Sequence, residues 1–465
     1  MYSPRQKLLW FAFSTRVVII VLQAVCNIAI PDHDANVFMS PEDPSLRRTK
    51  ADYVVDKLLG GMKRWDAQYF IHIAQYGYTY ENCLAFMPLF PLIVRYLTYF
   101  LTSIIGSYLN FHSILLISAT LINLLLFIKS VDVLHKLSLK VLRSECRAYK
   151  SVILYCVNPA SIFFSAPYSE SLFAFTSFYT MFKCTENETL RFASINIFSA
   201  LPAGFSIITR SNGIVNLGFI LYTILMLPLF ITSVALCLTM VLALVPFLLV
   251  QTYNYFKFCV PNQHNLPEFL ASSEYVLPGT AESPWCNSSL PLSYSYIQSH
   301  YWNVGFLKYY QIKQIPNFVL ASPILFIITY NSMSYIKNNF RLCLRLGLRD
   351  NIMNFGYLHK IPNRPKPYYS RNFGANDPNL FVYVVHVMFL TIFCILFVHI
   401  QVSTRLLASA SPVLYWICVD NMYSRWKTFI ISRRMPDFAS RLIQCYFIGY
   451  CVMGTILFSN FYPWT

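Results

Sequence analysis

The longest stretch without a charged residue runs from Arg210 to Lys257, and it constrains the fold more than any other feature. It is long enough for two membrane-crossing helices, since one crossing needs about 20 apolar residues. Of the 465 residues, 56% are hydrophobic and only 12% are charged, against roughly 25% charged residues in soluble domains. These values exclude a disordered chain, a collagen and a coiled coil, and they disfavour a soluble globule. The sequence therefore predicts an all-α polytopic membrane protein.

Apolar segments of span length recur along the whole chain, which we interpret as one multi-span domain over residues 1–465. Basic loops on the cytoplasmic side explain the net charge of +16 without a nucleic-acid partner. The most basic stretch, 335–376, contains one acid, Asp350, and is the predicted cytoplasmic loop. The predicted apolar segments are 7–30, 85–106, 111–130, 149–165, 168–183, 193–209, 213–231, 233–256, 315–334, 380–402, 404–420 and 443–460.

The topology of residues 85–150 does not close if every apolar segment crosses the bilayer. Segment 85–106 is the one we expect to be re-entrant, interfacial or wrongly divided, because Pro88 and Pro91 interrupt its start and Arg95 lies within it.

The segment 31–84 is predicted to be the first long loop on the lumenal side. Seven of the 20 acidic residues lie within 31–66, which makes this loop the place to look for chemistry. Residues 51–59 show helical spacing, with Asp52 and Asp56 on one face, and suit a helix along the membrane surface.

Residues 64–95 place Asp66 beside Trp65 and near Tyr69, in a setting typical of a membrane interface. Partial desolvation suits a carboxylate to accept a proton from a hydroxyl, and aromatic faces suit a sugar ring. A plain aromatic belt with a solvated Asp66 is the alternative interpretation.

Several blocks together resemble the GPI mannosyltransferase 2 family, whose members add the second mannose during glycosylphosphatidylinositol assembly in the endoplasmic reticulum. The blocks extend over nearly the whole chain, and their combination is more specific than any one of them. They are WDAQYF, IAQYGY with Glu81, AFMPLFPLIVR, NPASIFFSAPYSESLFAF, TRSNG, PWCN, SYIQSHYWNVGFLKYYQIKQIPNF and HIQVSTRLLASASPVLYW.

The resemblance implies a GT-C type glycosyltransferase in the endoplasmic reticulum membrane, with a lumenal active site. It implies a lipid donor, dolichyl phosphate mannose, a GPI precursor as acceptor and a small membrane partner subunit for some members. No cofactor is expected. Trp65 and Asp66 match the family's tryptophan–aspartate motif, which makes Asp66 the predicted catalytic base for an inverting single displacement.

The departing lipid phosphate needs positive charge, for which Arg405 and Arg210 are the first candidates and His300 and Lys308 the next. Snorkelling to lipid headgroups is the alternative for each arginine. The remaining predicted substrate-binding residues are polar or ionisable side chains in or near apolar segments: Glu81, Arg95, Glu170, Gln251, His386 and Gln401.

Three further patterns carry weaker predictions. Asp32-His33-Asp34 fits a metal-binding D-x-D pattern, but a lipid-phosphate donor has no diphosphate that needs a metal, so no metal is expected. Asn287 opens a glycosylation sequon in a loop predicted to be lumenal, whereas Asn187 is predicted to be cytosolic. A disulfide could join two of the three cysteines on the lumenal side, which are Cys83, Cys259 and Cys286.

Two other functions fit the composition. A polytopic lipid transporter or scramblase would also contain intramembrane charges and proline-broken spans, although it would place its chemistry near the bilayer midplane. Another dolichol-phosphate-sugar-dependent transferase would differ only in its acceptor, and only the family resemblance argues against it.

Overall fold

The computed structural model describes residues 2–189, 200–226, 230–262, 266–271, 275–347, 377–431 and 438–464. Within these ranges all regular secondary structure is helical, so the predicted all-α class is confirmed. The α-helices are α1 (Pro4–Ala29), α2 (Lys50–Leu59), α3 (Ala67–Tyr76), α4 (Leu89–Ile105), α5 (Phe111–Leu142), α6 (Glu145–Cys156), α7 (Glu170–Thr189), α8 (Ala200–Thr209), α9 (Leu217–Met226), α10 (Phe230–Phe258), α11 (Glu268–Ala271), α12 (Ser293–Trp302), α13 (Ile315–Asn338), α14 (Phe340–Leu344), α15 (Phe381–Phe397), α16 (Ser403–Ala410), α17 (Val413–Ile431) and α18 (Phe438–Ser459).

Six helical segments of the described chain are long and apolar enough to cross a membrane, and the bent pair α16–α17 makes up to seven. Three of them are α1, α5 and α18. The other three overlap α10, α13 and α15 with slightly different bounds, namely Leu236–Phe258, Ile312–Asn338 and Pro378–Phe397. The protein is therefore a multi-pass membrane protein.

Two predicted spans are interrupted where a proline follows a polar residue. Helix α6 ends at Cys156, just before Asn158-Pro159, so segment 149–165 is not one helix. Helices α16 and α17 meet at 84° around Ser411-Pro412. Proline has no backbone N–H and pushes the preceding residue out of the helical region, as the extended backbone of Ser411 (φ −135°, ψ 132°) shows.

Helix α2 forms where the sequence predicts it, but one of its acids faces inward. The Thr49 side chain caps the helix, and the Asp52 carboxylate accepts from the Thr49 backbone N–H at 2.7 Å. Asp52 also accepts from the backbone N–H of Asn110 at 2.9 Å and is only 3% exposed. The carboxylate therefore joins α2 to the start of α5 rather than facing water.

Residues 31–88 and the described parts of 259–314 pack together into a cap, which has a small hydrophobic core separate from that of the bundle. We call this core the cap cluster; its buried members are Phe38, Ile73, Tyr78, Tyr80, Cys83, Leu84, Phe258, Leu270, Trp285 and Ile297. A disulfide joins Cys259 to Cys286, which selects one of the pairings that the sequence left open.

The imidazole of His72 is fully buried inside the cap. Its Nδ1 lies 3.0 Å from the Ser40 hydroxyl, and its Nε2 lies 2.6 Å from the Thr79 hydroxyl. Burial lowers the pKa of His72 to about 3, because the charged ring would lose its hydration. His72 is therefore neutral at physiological pH.

Most of the predicted basic cytoplasmic loop 335–376 lies outside the described residues. The described part contains the end of α13, helix α14 and the turn that follows.

Candidate active site

Asp66 stands at the start of α3, directly after a tight turn through Arg64 and Trp65. Trp65 has a positive φ of 54°, which is unusual for a bulky residue and needs support from its surroundings. The Ala67 N–H donates to the Arg64 carbonyl at 3.2 Å and closes this turn. The turn therefore fixes the direction in which the Asp66 side chain leaves the backbone.

Arg64 is the anchor of this turn and is 7% exposed. It donates to Asp32 at 2.9 Å, to the Asn27 side chain at 2.8 Å and to the Ser459 carbonyl at 3.1 Å. The ring of Phe461 lies 4.6 Å from the Arg64 guanidinium and 6.1 Å from the Trp65 ring. Residues that are far apart in the sequence thus hold the Trp65-Asp66 turn.

An ion pair joins Asp66 to Arg405 across 339 residues of chain. Arg405 Nη2 lies 2.6 Å from Asp66 Oδ2, and both side chains are mostly buried, with 13% and 26% exposure. The guanidinium is flanked by the Phe163 and Tyr168 rings at 5.3 and 5.4 Å, a cation–π arrangement. Within the described residues, no protein group donates a hydrogen bond to Asp66 Oδ1. One carboxylate oxygen is therefore held while the other is available.

Glu170 and Arg210 extend this pair into a row of alternating charges. Glu170 is fully buried at the start of α7, and its Oε1 accepts from Arg210 Nη1 and lies 3.9 Å from Arg405 Nη1. Its Oε2 and the Arg405 Nε are buried without a hydrogen-bond partner in the described chain. The four groups are electrically balanced, and each arginine can offer further N–H donors to an anion.

The sequence placed these four residues in separate blocks, and the structure brings all four together with Trp65. Trp65 packs against the bundle core, while its indole Nε1 is buried without a partner in the described residues. A buried indole N–H usually has a partner, so this donor is free for a bound molecule.

Tyr69 lies close by but is enclosed by other rings. Its ring stacks on Phe38 at 4.3 Å and on Phe86 at 4.6 Å, and Trp302 lies 5.7 Å away. Burial raises the pKa of the Tyr69 phenol well above its usual range. The ring therefore joins α3 to the rest of the cap.

Glu81 lies in the cap and accepts hydrogen bonds from three side chains. Its carboxylate accepts from Ser283, from Trp285 Nε1 at 2.7 Å and from the Tyr301 hydroxyl at 2.8 Å. Glu81 is 1% exposed, so protein donors rather than water neutralise its charge.

Arg95, Gln251 and His386 also make contacts within the fold. Arg95 donates to the Ala74 and Ile73 carbonyls at 2.7 and 2.8 Å and so satisfies the last turn of α3. Gln251 accepts from the Ser293 hydroxyl at 3.0 Å. His386 is buried against the Phe219 ring, at 4.9 Å, with neither ring nitrogen hydrogen-bonded in the described part of the chain.

The remaining predicted residues lie on the cap or at its edge. His300 is exposed and stacks on Tyr296 at 5.1 Å, and Lys308 is exposed in a turn. Gln401 accepts from the Tyr309 hydroxyl at 3.3 Å. Asn287, in the sequon, is exposed beside the disulfide.

Sequence reasoning missed the supports of the site. Arg64 adjoins the recognised motif, and Phe163 and Tyr168 lie in the recognised block NPASIFFSAPYSESLFAF. The sequence contains these residues in or beside recognised blocks, but no sequence pattern distinguishes them from their neighbours as supports of the site. The carboxylate of Asp32, in the D-x-D pattern for which no metal is expected, pairs with Arg64.

Comparison with known sequences identifies relatives over the full chain. The family model described as "Mannosyltransferase (PIG-V)" matches residues 5–465. A "GPI alpha-1,6-mannosyltransferase 2" from Cricetulus griseus is 37% identical, covering 100% of this chain and 99% of the relative. The protein of that name from Homo sapiens is 35% identical, covering 99% of each chain. A "GPI mannosyltransferase 2" from Drosophila pseudoobscura pseudoobscura is 37% identical, covering 99% of this chain and 100% of the relative.

Among solved structures, an oligosaccharyltransferase from Archaeoglobus fulgidus, in complex with Zn and sulfate, aligns with a TM-score of 0.43 at 14% identity. The alignment covers 96% of this chain and 53% of that one. A second structure from that organism, with an inhibitory peptide and a dolichol-phosphate, aligns with a TM-score of 0.41 at 11% identity and covers 98% and 56%. This chain spans about half the length of those two chains.

Proposed function

We propose, because the chain belongs to the mannosyltransferase (PIG-V) family, that it transfers mannose in α-1,6 linkage to a GPI-anchor precursor. Relatives named for that activity, matched over 99% of their length, support the acceptor and the linkage. The proposed donor is dolichyl phosphate β-D-mannose, used by a GT-C type enzyme in the endoplasmic reticulum membrane with its site on the lumenal side.

The ion pair between Asp66 and Arg405 is the observation that carries the proposed mechanism. Arg405 holds Oδ2 at 2.6 Å, which fixes the direction of the carboxylate and leaves Oδ1 towards the reacting groups. Oδ1 then accepts the proton of the acceptor's 6-hydroxyl as that oxygen attacks the anomeric carbon of the donor. A β-linked donor and an α-linked product require one inversion, so no covalent enzyme intermediate is needed.

The two arginines of the charge row are the proposed holders of the departing phosphate. In the transition state, negative charge grows on the phosphate oxygen that leaves the sugar, and nearby fixed cations stabilise it. Arg405 has a buried Nε without a partner in the described chain, which could donate to a phosphate oxygen. Arg210 forms a salt bridge with Glu170, which brings a second cation to the same site. Glu170 and Asp66 together balance the two cations when no phosphate is bound.

The donor is a phosphodiester with a single phosphate and has no diphosphate for a metal to bridge, so the proposed reaction uses side chains alone. Activity should therefore persist in a chelator. A strong loss that a divalent cation restores would instead assign a metal to the reaction.

The decisive test incubates membranes containing the chain with labelled mannosyl donor lipid and a one-mannose GPI precursor. The expected product carries a second mannose in α-1,6 linkage. Asp66→Asn should lower the rate about 10²- to 10⁴-fold, because the amide keeps the shape but cannot take the proton. Asp34→Asn, at an exposed acid of the same loop, is the matched control. Normal transfer by Asp66→Asn at equal protein amount would refute the base assignment.

A further inference from the structure

The chain between α6 and α7, Val157–Ser169, runs through the buried bundle without forming an α-helix. We call it the helix break. From Asn158 to Ser169 every residue is buried, and its only regular element is the short 3₁₀ turn Ser161–Phe164. Backbone carbonyls buried among membrane-spanning helices must find donors from protein groups, because no water is at hand. The donors of the helix break therefore decide its shape.

Arg16, in the middle of α1, supplies donors to the start of the helix break. Its Nη1 donates to the Ser161 carbonyl at 2.7 Å, and its Nη2 donates to the Cys156 carbonyl at 2.8 Å and to the Ser161 hydroxyl at 3.1 Å. The guanidinium lies 4.1 Å from the centre of the Phe127 ring and is 1% exposed.

A cation inside a span is costly and is kept for a reason. Among the described residues, no carboxylate forms a salt bridge with Arg16, so backbone carbonyls and hydroxyls compensate its buried charge. The planar fork suits this task because it reaches two carbonyls at once, which a lysine ammonium on a single stem cannot match.

Asn123, on α5, supplies the donor at the other end of the helix break. Its Nδ2 donates to the Ala166 carbonyl and, at 3.1 Å, to the Tyr168 carbonyl. Asn123 is fully buried. Helices α1 and α5 thus each donate hydrogen bonds from one polar side chain to the helix break, α1 near its start and α5 near its end.

The helix break carries the two rings that flank the guanidinium of the charge row. Phe163 and Tyr168 lie 5.3 and 5.4 Å from the Arg405 Cζ, and Glu170 follows the break directly. The Tyr168 hydroxyl also reaches the Arg64 carbonyl at 3.3 Å, beside the turn that bears Asp66. A shift of the helix break would therefore move the walls that hold Arg405.

We propose that Arg16 and Asn123 are positioning residues for the donor-phosphate site, because they fix the helix break whose rings Phe163 and Tyr168 hold Arg405. This inference rests on the proposed function, in which Arg405 binds the phosphate of the donor lipid. Neither residue touches the substrate, so their effect passes through Arg405.

The test measures the KM for the mannosyl donor lipid and, separately, the KM for the GPI precursor. KM does not depend on how much folded enzyme survives, so a purely structural role would leave both unchanged. Arg16→Lys is expected to raise the donor KM about tenfold and to leave the acceptor KM unchanged. Asn123→Leu, which disturbs the other end without altering charge, should act in the same direction.

Ser161→Ala provides a mild variant that should fold even if the others do not. It deletes one acceptor of Arg16 and is expected to raise the donor KM about twofold. Ser118→Ala is the matched control on α5, because its buried hydroxyl bonds only to the Ile114 carbonyl of its own helix among the described residues, and its donor KM should match the wild type.

A double variant tests the route through Arg405. If Arg16 acts by placing Arg405, the donor KM of Arg16→Lys combined with Arg405→Lys should rise by less than the product of the two single effects. Unchanged donor KM values in Arg16→Lys, Asn123→Leu and Ser161→Ala, with only thermal stability lowered, would overturn the proposal. Failure of the proposed function looks different, since the wild-type enzyme would then not use the donor lipid at all.

Discussion

Replacement of Glu81 distinguishes a residue that holds the cap together from one that binds substrate. The carboxylate accepts from Ser283, from Trp285 at 2.7 Å and from Tyr301 at 2.8 Å, and it is buried. Hydrogen bonds to a charged group contribute about 1.5–3 kcal/mol each, and donors left buried without a partner add to the loss. Glu81→Ala should therefore destabilise the cap locally by about 4 kcal/mol. This is less than the full sum of the three hydrogen bonds, because the two hydroxyls can form some hydrogen bonds to other partners.

Glu81→Gln should cost much less. The amide oxygen can still accept from Trp285, and its NH₂ can donate to the Tyr301 hydroxyl, so mainly the charge contribution is lost. We expect a loss of about 1–2 kcal/mol.

Hydrogen–deuterium exchange of α12 (Ser293–Trp302) measures both changes, because its amides exchange when the cap opens. By the relation of 1.4 kcal/mol per factor of ten, the opening constant should rise about 10³-fold in Glu81→Ala and about tenfold in Glu81→Gln. Glu282→Ala, at an exposed acid of the same loop, should leave exchange unchanged.

The result that would refute this reasoning is unchanged exchange in Glu81→Ala together with lost mannosyl transfer. Such a result would return Glu81 to the substrate-binding role that the sequence suggested. Lost transfer that follows cap opening in proportion, with partial activity in Glu81→Gln, would support the structural role.

Three further outcomes are expected. Arg405→Lys should slow transfer about 100-fold at normal protein amount, because a single ammonium cannot hold both Asp66 and the phosphate, and wild-type kinetics would contradict this. Loss of the disulfide by Cys259→Ser with Cys286→Ser should lower stability by about 3.5 kcal/mol, as the entropy of a loop of this length predicts; an unaltered thermal midpoint in detergent would contradict it. The pKa of His72 is lowered to about 3 in the folded protein, so the unfolded chain takes up the proton at a higher pH than the folded protein does. The folded state therefore loses stability as the pH falls below about 6.5, and at pH 5 its free energy of unfolding is lower by about 2 kcal/mol. His72→Gln should flatten the decline of the thermal midpoint between pH 7 and pH 5, and an equally steep decline would refute it.

The multi-pass membrane class could be predicted because a chain that crosses a bilayer needs long apolar segments. The number of crossings could not, since twelve apolar segments were predicted and the described chain has six helical segments of spanning length, or up to seven with the bent pair. The breaks were harder to predict. Asn158-Pro159 and Ser411-Pro412 stop helices inside apolar runs, where hydropathy alone sees a continuous span. The helix break that results is stabilised by Arg16, a residue distant in sequence. Hydropathy along the chain does not show that Arg16 hydrogen-bonds to the helix break, because that contact joins residues distant in sequence.

The charge row could be foreseen as separate candidates but not as a row. Asp66, Glu170, Arg210 and Arg405 each stood out as ionisable residues in recognised blocks. Their pairing depends on the packing of α3, α7 and α16, which no local pattern encodes. Glu81 was predicted to bind substrate, but in the structure it accepts hydrogen bonds from side chains of the cap. A carboxylate near aromatic residues gives the same sequence pattern in both situations.

The support of Arg64 by Ser459 and Phe461 has a consequence for biogenesis. The ribosome makes Ser459 395 residues after Arg64, so the emerging polypeptide inserts most of its helices before this support exists. Until then the turn bearing Asp66 lacks one of its supports, so the site is completed only after α18 has been synthesised and has packed against Arg64.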